Sequence, residues 1–322
     1  MTQESYKTCS TAPGKIVLWG EYAVLEGAPA VTMAVSRYSK VDLATTQESW
    51  EFISKGFNTP GLHLFEKDFC YVPATQFAEL TLKHLGFNDF HVPFSLSSDT
   101  SSFYRKQKKV GLGSSASLAA ATYHSLTQLL GVEASLEGAL EIHKRWQSGS
   151  GSGIDVATSW FGGTIKCARY PNLTVSPFRL PDSLFWQIIW TGRQADTREH
   201  LKKFDASINR KKVRLGLDQL CAASEELTKG TISLESIRSY KEILENFDQL
   251  ADLKIFTTEH QRLDRIAAEL GLVYKPCGAG GGDIGIAFAK DHQSLTAFNQ
   301  QIKNTEFMAL DMEIAVDGVK TN

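Results

Sequence analysis

The stretch Lys109-Val110-Gly111-Leu112-Gly113-Ser114-Ser115-Ala116-Ser117 leads directly into a segment whose apolar residues recur at helical spacing. Its glycines allow positive φ angles and a close approach of the backbone to a ligand. Free N–H groups at a helix start, together with the helix dipole, favour an anion such as phosphate. The adjacent serine hydroxyls can hydrogen-bond phosphate or ligate Mg²⁺. Taken alone, the stretch also fits a turn of small residues with Ser114 as the helix N-cap.

Two familiar nucleotide-binding loops are excluded at this position. The stretch lacks the G-x-x-x-x-G-K-[ST] order of a Walker A loop, and it is not a G-x-G-x-x-G run that follows a strand. A phosphate site here therefore belongs to another kind of fold, and the rest of the chain has to indicate which.

Two further glycine-containing elements flank this stretch. Upstream, Ala12-Pro13-Gly14-Lys15-Ile16 places a lysine after a Pro-Gly turn, where it can point inward, although a solvated lysine is the commoner case. Downstream, Lys275-Pro276-Cys277-Gly278-Ala279-Gly280-Gly281-Gly282-Asp283 lies between a predicted helix and a predicted strand. So many glycines indicate close backbone approach to a ligand, with a flexible connector as the alternative.

The intervening sequence mixes helix and strand patterns, and a boundary is predicted near Pro181. Alternation and apolar runs predict strands over 16–19, 30–35, 41–45, 92–96, 163–168, 185–190, 284–289 and near 313–316. Helical spacing predicts helices over 76–85, from 115 to Gly131, from 135 to 146, and over 196–209, 213–228, 234–250, 257–270 and 292–302.

Bulk composition is that of an ordinary globular protein with 322 residues and a formal net charge of −2. This charge does not suggest nucleic-acid binding. The five cysteines contain no C-x-x-C pair, which argues against a disulfide framework or a zinc site. Because no secretory signal and no membrane-spanning run is recognised, we expect a cytoplasmic protein without a membrane partner.

The three glycine-containing elements, in this order and at these distances, resemble the GHMP kinases (galactokinase, homoserine, mevalonate and phosphomevalonate kinases). The resemblance includes Gly20-Glu21-Tyr22-Ala23-Val24 after the first element and spans nearly the whole chain. It implies an α+β fold with an N-terminal ribosomal S5-like domain (1–180) and a C-terminal ferredoxin-like α/β domain (181–322). It also implies ATP and Mg²⁺ as cofactors, a cleft between the domains as the active site, and a monomer or homodimer.

Within the family, four features resemble phosphomevalonate kinases and imply conversion of phosphomevalonate to diphosphomevalonate. They are the G-A-G-G-G-D run at 278–283, the Trp190-Thr191-Gly192 segment, the run 143–156, and Lys144 in place of a glutamate that helps hold Mg²⁺ in mevalonate kinases. Phe161-Gly162-Gly163 instead resembles mevalonate kinase. A mevalonate kinase, a diphosphomevalonate decarboxylase and an inactive ligand sensor stay open as alternatives.

The resemblance also assigns roles to individual residues. Lys15 would bridge the acceptor oxygen and the γ-phosphate, and Asp155 would be the base or would orient Lys15. The nucleotide would be held by Lys109, Gly111, Leu112, Gly113, Ser114, Ser115, Ala116 and Ser117. Ser115 would ligate Mg²⁺, with Glu21 as a candidate carboxylate partner. The acceptor side would comprise Glu21, Tyr22, Ser148, Ser150, Ser152, Gly153, Arg193, Gly278, Ala279, Gly280, Gly281 and Asp283.

Structural roles compete with some of these assignments. Asp155 follows a Gly/Ser loop and fits a helix cap. Glu21 fits a structural hydrogen-bond acceptor. His143 lies on the apolar side of its predicted helix and is interpreted as a packing residue. Among the basic residues near the two motifs, only Arg193 is expected to bind the phosphorylated acceptor.

Overall fold

The computed structural model of the chain describes residues 6–47, 49–56, 61–65, 75–87, 92–149, 151–169, 172–195 and 197–322. Its strands are β1 (Lys7–Trp19), β2 (Ala30–Thr45), β3 (Trp50–Lys55), β4 (Gly61–Phe65), β5 (Phe94–Asp99), β6 (Tyr104–Arg105), β7 (Lys108–Lys109), β8 (Thr164–Ala168), β9 (Thr174–Pro177), β10 (Phe185–Trp190), β11 (Val273–Pro276), β12 (Ile284–Ala289), β13 (Met308–Leu310) and β14 (Lys320–Thr321). Its helices are α1 (Gln76–His84), α2 (Ser114–Leu130), α3 (Leu136–Trp146), α4 (Ile154–Phe161), α5 (Thr197–Ser207), α6 (Lys211–Lys229), α7 (Leu234–Ala251), α8 (Thr258–Glu269) and α9 (His292–Ile302).

The first sheet is built on the long antiparallel pair β1 and β2. Its strand order is β14-β1-β2-β5-β3-β4, and β8 and β9 extend it from the remaining half of β2. Helices α2 and α4 pack on β1 and β2. Every residue of β1 from Ala12 to Trp19 is buried, so Lys15 is carried into the interior by the strand that holds it.

The second sheet has the order β11-β12-β10-β13 and is antiparallel throughout. All residues of β12 are buried because α8 packs against β11 and α9 packs against β10 and β12. Helices α6 and α7 form an antiparallel pair whose apolar faces, including Leu217 and Leu244, join the core. The combination of the two sheets gives the α+β fold that the resemblance implied.

Most predicted elements are confirmed, with two corrections. The strands predicted over 30–35 and 41–45 form one strand, β2, because Ser36–Lys40 stay extended against β1 across a bulge between Pro13 and Gly14. The strand predicted near 313–316 is a single bridge between Ile314 and Val35. The sequence patterns missed elements that are short or lack clear alternation, namely α4, β3, β4, β6, β7, β9, β11, β13 and β14.

The chain crosses between the two sheets twice. The first passage joins β9 to β10 and contains Pro181, and the second follows β13 and leads to the bridge at Ile314 and then to β14. The N–H of Ser36 donates to the carbonyl of Glu313 at 3.0 Å, which anchors the second passage on β2. The assignment of all residues after 180 to a separate domain stays a prediction, since β14 pairs with β1.

Two absences hold within the described part of the chain. No helix there combines the length and the apolar character needed to cross a bilayer. The thiols of Cys9, Cys167, Cys221 and Cys277 are free, and Cys70 lies outside the described residues.

Candidate active site

A cavity opens where the buried part of β1 faces the starts of α2, α4 and α5 and the glycine-rich loop before β12. The residues that line it are Lys15, Ile16, Val17, Glu21, Tyr22, Val24, Leu25, Gly111, His143, Gln147, Gly151, Ser152, Gly153, Ile154, Asp155, Ala195, Thr197, Leu201, Cys277, Gly278, Ala279, Gly280, Asp283 and Ile284. All three glycine-containing elements of the sequence therefore meet at one place.

The start of α2 is shaped by two glycines with left-handed backbones. Gly111 has a φ of 94° and Gly113 a φ of 75°, and Gly113 is the N-cap. Ser114 is the first residue of the helix, so the interpretation of Ser114 as the N-cap was wrong. No side chain caps this helix end, which leaves its first N–H groups facing the site. A ligand with negative charge fits such a position.

Lys15 and Asp155 form an ion pair of 2.9 Å between Nζ and Oδ1. The Lys15 residue is 8% exposed, which rules out the solvated lysine considered from sequence. Its N–H donates to the carbonyl of Leu112 at 2.9 Å, and its side chain runs past Gly113, where a Cβ would lie 2.8 Å from Lys15 Cε. Because Gly153 is the N-cap of α4, Asp155 is not a capping residue.

Ser115 faces His143 on α3. The distance from Ser115 Oγ to His143 Nε2 is 3.2 Å. His143 is buried and lies roughly parallel to the rings of Trp146 and Phe77, with interplanar angles of 25° and 10°. Its neighbour Lys144 is exposed. The packing role predicted for His143 is present, but the prediction missed that the ring also reaches Ser115 and lines the cavity.

Glu21 belongs to a buried polar network that the sequence did not reveal. Its carboxylate pairs through Oε1 with Lys275 Nζ, and Oε2 accepts a hydrogen bond of 2.8 Å from the hydroxyl of Tyr240. The Tyr240 hydroxyl also accepts from the N–H of Gly20 at 2.8 Å. Since both carboxylate oxygens are occupied, the geometry favours the structural role of Glu21 over the role of Mg²⁺ ligand.

The loop before β12 touches the start of α2 through Asp283. A Cβ at Gly111 would lie 2.4 Å from Asp283 Cβ, so only glycine fits there. The N–H of Ala195 donates to Asp283 Oδ1 at 3.0 Å. Burial raises the pKa of Asp283 to about 6, against the lowering effects of that hydrogen bond and of the Lys109 and Lys15 charges.

His260 fixes the same loop from behind. Its Nε2 lies 3.0 Å from the carbonyl oxygen of Gly282, which can only accept, so Nε2 carries the proton. Nδ1 then accepts from the Tyr274 hydroxyl at 2.8 Å. Burial lowers the pKa of this imidazole to about 4. The ring is therefore neutral near pH 7 and holds the glycine-rich loop against α8.

The remaining residues of the predicted acceptor side separate into two groups. Those that line the cavity are Tyr22, Ser152, Gly153, Gly278, Ala279 and Gly280. The Tyr22 hydroxyl donates to the carbonyl of Ala279 at 2.7 Å, which joins the first and third elements. Gly281 packs on His200, where a Cβ would lie 2.0 Å from the ring, and Ser148 is exposed. Ser150 lies outside the described residues.

Arg193 lies at the edge of the site and does not line the cavity. Its side chain is 55% exposed and is 3.5 Å from Glu259. Its carbonyl oxygen accepts the N–H of Asp283 at 2.7 Å. The backbone of Arg193 thus supports the loop before β12, and the acceptor-binding role expected of its guanidinium stays a prediction.

Comparison with known proteins shows that this chain is similar to one protein family and to two kinases from other organisms. Residues 74–163 match the family described as GHMP kinases N terminal domain. A phosphomevalonate kinase from Streptomyces sp. (strain CL190) is 28% identical over 96% of this chain and 97% of its own length. A mevalonate kinase from Thermococcus sibiricus is 25% identical over 98% of each chain.

A solved structure shares the fold. It is that of Streptococcus pneumoniae phosphomevalonate kinase in complex with phosphomevalonate and AMPPNP, and it matches with a TM-score of 0.76 at 21% identity. The match covers 97% of this chain and 100% of that chain. At this identity the likeness concerns the path of the backbone.

Proposed function

Since the chain is a small-molecule kinase with the GHMP kinase fold, we propose that it transfers the γ-phosphoryl group of ATP to phosphomevalonate. The observation that carries the proposal is the 2.9 Å ion pair between the buried Lys15 and the partly exposed Asp155, beside the uncapped start of α2. It puts a cation and a carboxylate next to a position suited to phosphate.

The nucleotide phosphates are assigned to the loop from Gly111 to Ser117. The first N–H groups of α2 and its dipole supply the attraction for anionic oxygens, and the glycines leave room for them. Lys109 stands at the entrance of this loop as an additional cation. The similar Streptococcus kinase was solved with AMPPNP bound, which supports a nucleotide in this fold.

The donor set of this chain fits Mg²⁺ that arrives with the nucleotide. Among the residues that the structure describes, no three His, Cys, Asp or Glu side chains gather to hold a metal. Mg²⁺ commonly keeps several waters and binds through substrate phosphates with few protein ligands. Ser115, at the helix start, is the proposed protein ligand. The ion would neutralise phosphate charge when bound.

Lys15 is the proposed catalytic cation. The local dielectric is low around a buried ammonium group. Such a group therefore stabilises a developing negative charge more than a solvated ammonium does. Asp155 holds this ammonium in place. A phosphate monoester is mostly dianionic at pH 7, since its second pKa is near 6, so phosphomevalonate needs little help from a base. Positioning and charge neutralisation then account for most of the catalysis.

The choice of acceptor rests on the relatives and on sequence features that resemble phosphomevalonate kinases. Support for phosphomevalonate comes from the Streptomyces relative, aligned over nearly the full chain, and from the Trp190-Thr191-Gly192 segment and the loop at 278–283. The Thermococcus relative makes mevalonate the second candidate.

A panel of acceptors tests the proposal. Purified protein with ATP and Mg²⁺ is assayed for ADP release with mevalonate, phosphomevalonate and diphosphomevalonate. We expect turnover with phosphomevalonate at least tenfold above that with mevalonate. Preference for mevalonate would replace the acceptor, CO₂ release from diphosphomevalonate would indicate a decarboxylase, and no turnover with any of them would contradict a mevalonate-pathway kinase.

A further inference from the structure

The contact between Ser115 and His143 has no part in the mechanism described so far. Ser115 is the second residue of α2, and its Oγ lies 3.2 Å from His143 Nε2. The imidazole lines the same cavity as Lys15 and Asp155. A hydrogen bond at this position acts on the hydroxyl that is proposed to meet the metal ion.

The hydrogen bond between Ser115 and His143 can run in either direction, depending on which ring nitrogen of His143 carries a proton. A serine hydroxyl has one proton to donate and two lone pairs, and a neutral imidazole has one nitrogen that only accepts. A metal ion binds a lone pair and is repelled by a hydroxyl proton that points toward it. If the proton goes to His143, both lone pairs of Ser115 stay available on the side away from the ring.

We propose that His143 Nε2 accepts the Ser115 hydroxyl proton and thereby presents the Ser115 lone pairs to the metal ion that accompanies the nucleotide. His143 is then a positioning residue that acts through Ser115, and its role rests on the proposed function. The neighbouring Lys144, which stands in place of the metal-holding glutamate of mevalonate kinases, is exposed.

The surroundings of the ring suit a fixed orientation. His143 is 4% exposed, and the centroids of the Trp146 and Phe77 rings lie 5.6 and 6.5 Å from its own. Phe77 comes from α1, so two helices restrain the imidazole. A side chain that is already restrained loses little conformational entropy when it holds Ser115 in place. The arrangement is therefore preorganised for a ligand.

A double-mutant cycle tests the proposal by binding, independent of turnover. Ser115→Ala, His143→Leu and the double variant are titrated with AMPPNP by calorimetry, once with Mg²⁺ and once with EDTA. We expect His143→Leu to weaken the Mg²⁺-dependent affinity about tenfold, the typical effect of removing a partner that orients a metal ligand. The double variant should bind no more weakly than Ser115→Ala, because both single changes remove the same interaction.

Two further variants separate positioning from packing. His143→Gln carries a carbonyl oxygen near the place of Nε2 and should keep the affinity within about threefold of wild type. His143→Asn is too short to reach Ser115 and should behave like His143→Leu, which it replaces if the leucine variant does not fold. Phe77→Leu disturbs the ring stack and should lower thermal stability without a Mg²⁺-specific loss.

Additive losses in the cycle, or equal losses with Mg²⁺ and with EDTA, would overturn the role of His143 while leaving the proposed kinase activity intact. A wild-type protein that binds no AMPPNP in either condition would overturn both. Non-additive loss confined to the Mg²⁺ titrations, with recovery in His143→Gln, is the expected result.

Discussion

The ammonium of Lys275 contacts the carboxylate of Glu21 at a place where each side chain is only 1% exposed. The two residues are separated by 254 positions in sequence and join the segment after β1 to strand β11. Two buried charges lose their hydration, and this loss is offset only when the pair is intact and its remaining hydrogen-bonding atoms have partners. Tyr240 and the carbonyl of Pro276, 2.8 Å from Lys275 Nζ, supply those partners.

Breaking this pair is expected to destabilise the protein strongly. Lys275→Met leaves the Glu21 carboxylate buried without its cation, and the free energy of unfolding should fall by about 3–5 kcal/mol in urea titrations. The double variant Glu21→Gln, Lys275→Met should recover part of that loss. Lys229→Met, in an exposed pair with Glu225, serves as control and should change stability by less than about 1 kcal/mol. Equal effects of Lys275→Met and Lys229→Met would contradict the assignment.

Lys15 and Asp155 should differ in their importance for turnover. Lys15→Met removes the cation from the site, and kcat should fall by about 10³-fold with phosphomevalonate. Asp155→Asn keeps a hydrogen-bond acceptor for Lys15, and its kcat should fall by about tenfold or less, because the dianionic acceptor needs no base. Steady-state kinetics of both variants decide the point. A loss near 10²–10⁴-fold in Asp155→Asn would indicate a hydroxyl acceptor that has to be deprotonated.

Gly111 should not tolerate a side chain. Its φ of 94° and the 2.4 Å approach of an added Cβ to Asp283 predict that Gly111→Ala shifts the loop and abolishes most nucleotide binding. Gly131→Ala is the matched control at the opposite end of α2, because Gly131 also has a positive φ, of 65°, but faces open space. It should cost about 1 kcal/mol of stability without changing turnover. Titration calorimetry and kinetics on both variants test this difference.

The neutral His260 should make stability depend on pH. An unfolded imidazole takes up a proton below a pH of about 6.5, whereas the folded one does so only near 4, because burial lowers its pKa. Between these values the unfolded state binds more protons, so the free energy of unfolding falls as pH falls from about 6.5 to about 4. Denaturant titrations across this range should show a smaller decline in His260→Gln than in wild type. An unchanged pH profile in the variant would show that His260 is protonated normally.

The guanidinium of Arg193 should contribute little to acceptor binding. Its 55% exposure and its pairing with Glu259 keep it from the cavity wall. Arg193→Ala should therefore leave the KM for phosphomevalonate within about twofold of wild type, since exposed ion pairs are weak. A tenfold increase in KM would restore the role that the sequence pattern suggested.

The sequence predicted the turn before α2 and the helix that follows it, because glycines mark positions with positive φ. Positive φ at Gly111 and Gly113 and the helix after them can be inferred from neighbouring residues alone. Helices α6, α7 and α9 could be predicted equally well, since buried residues recur at regular spacing along one face of each helix. Short strands such as β13 have too few residues to show alternation.

Contacts between distant side chains were not predictable in the same way. Nothing local in the sequence indicates that Lys275 pairs with Glu21, or that His143 meets Ser115. These relationships depend on how the helices and the two sheets pack. Neighbouring positions on α3 face different surroundings, so His143 is buried whereas Lys144 is exposed. The exposure of the Arg193 side chain also depends on tertiary packing and could not be predicted from neighbouring residues.

The two passages between the sheets have a mechanical consequence. They lie side by side, because Ile188 on β10 pairs with Leu310 on β13, whereas the cavity lies toward the other end of β10, where Ala195 and Thr197 follow it. The two sheets are thus joined by two adjacent strips of backbone. A single proteolytic nick near Pro181 would leave the halves tethered by the second strip.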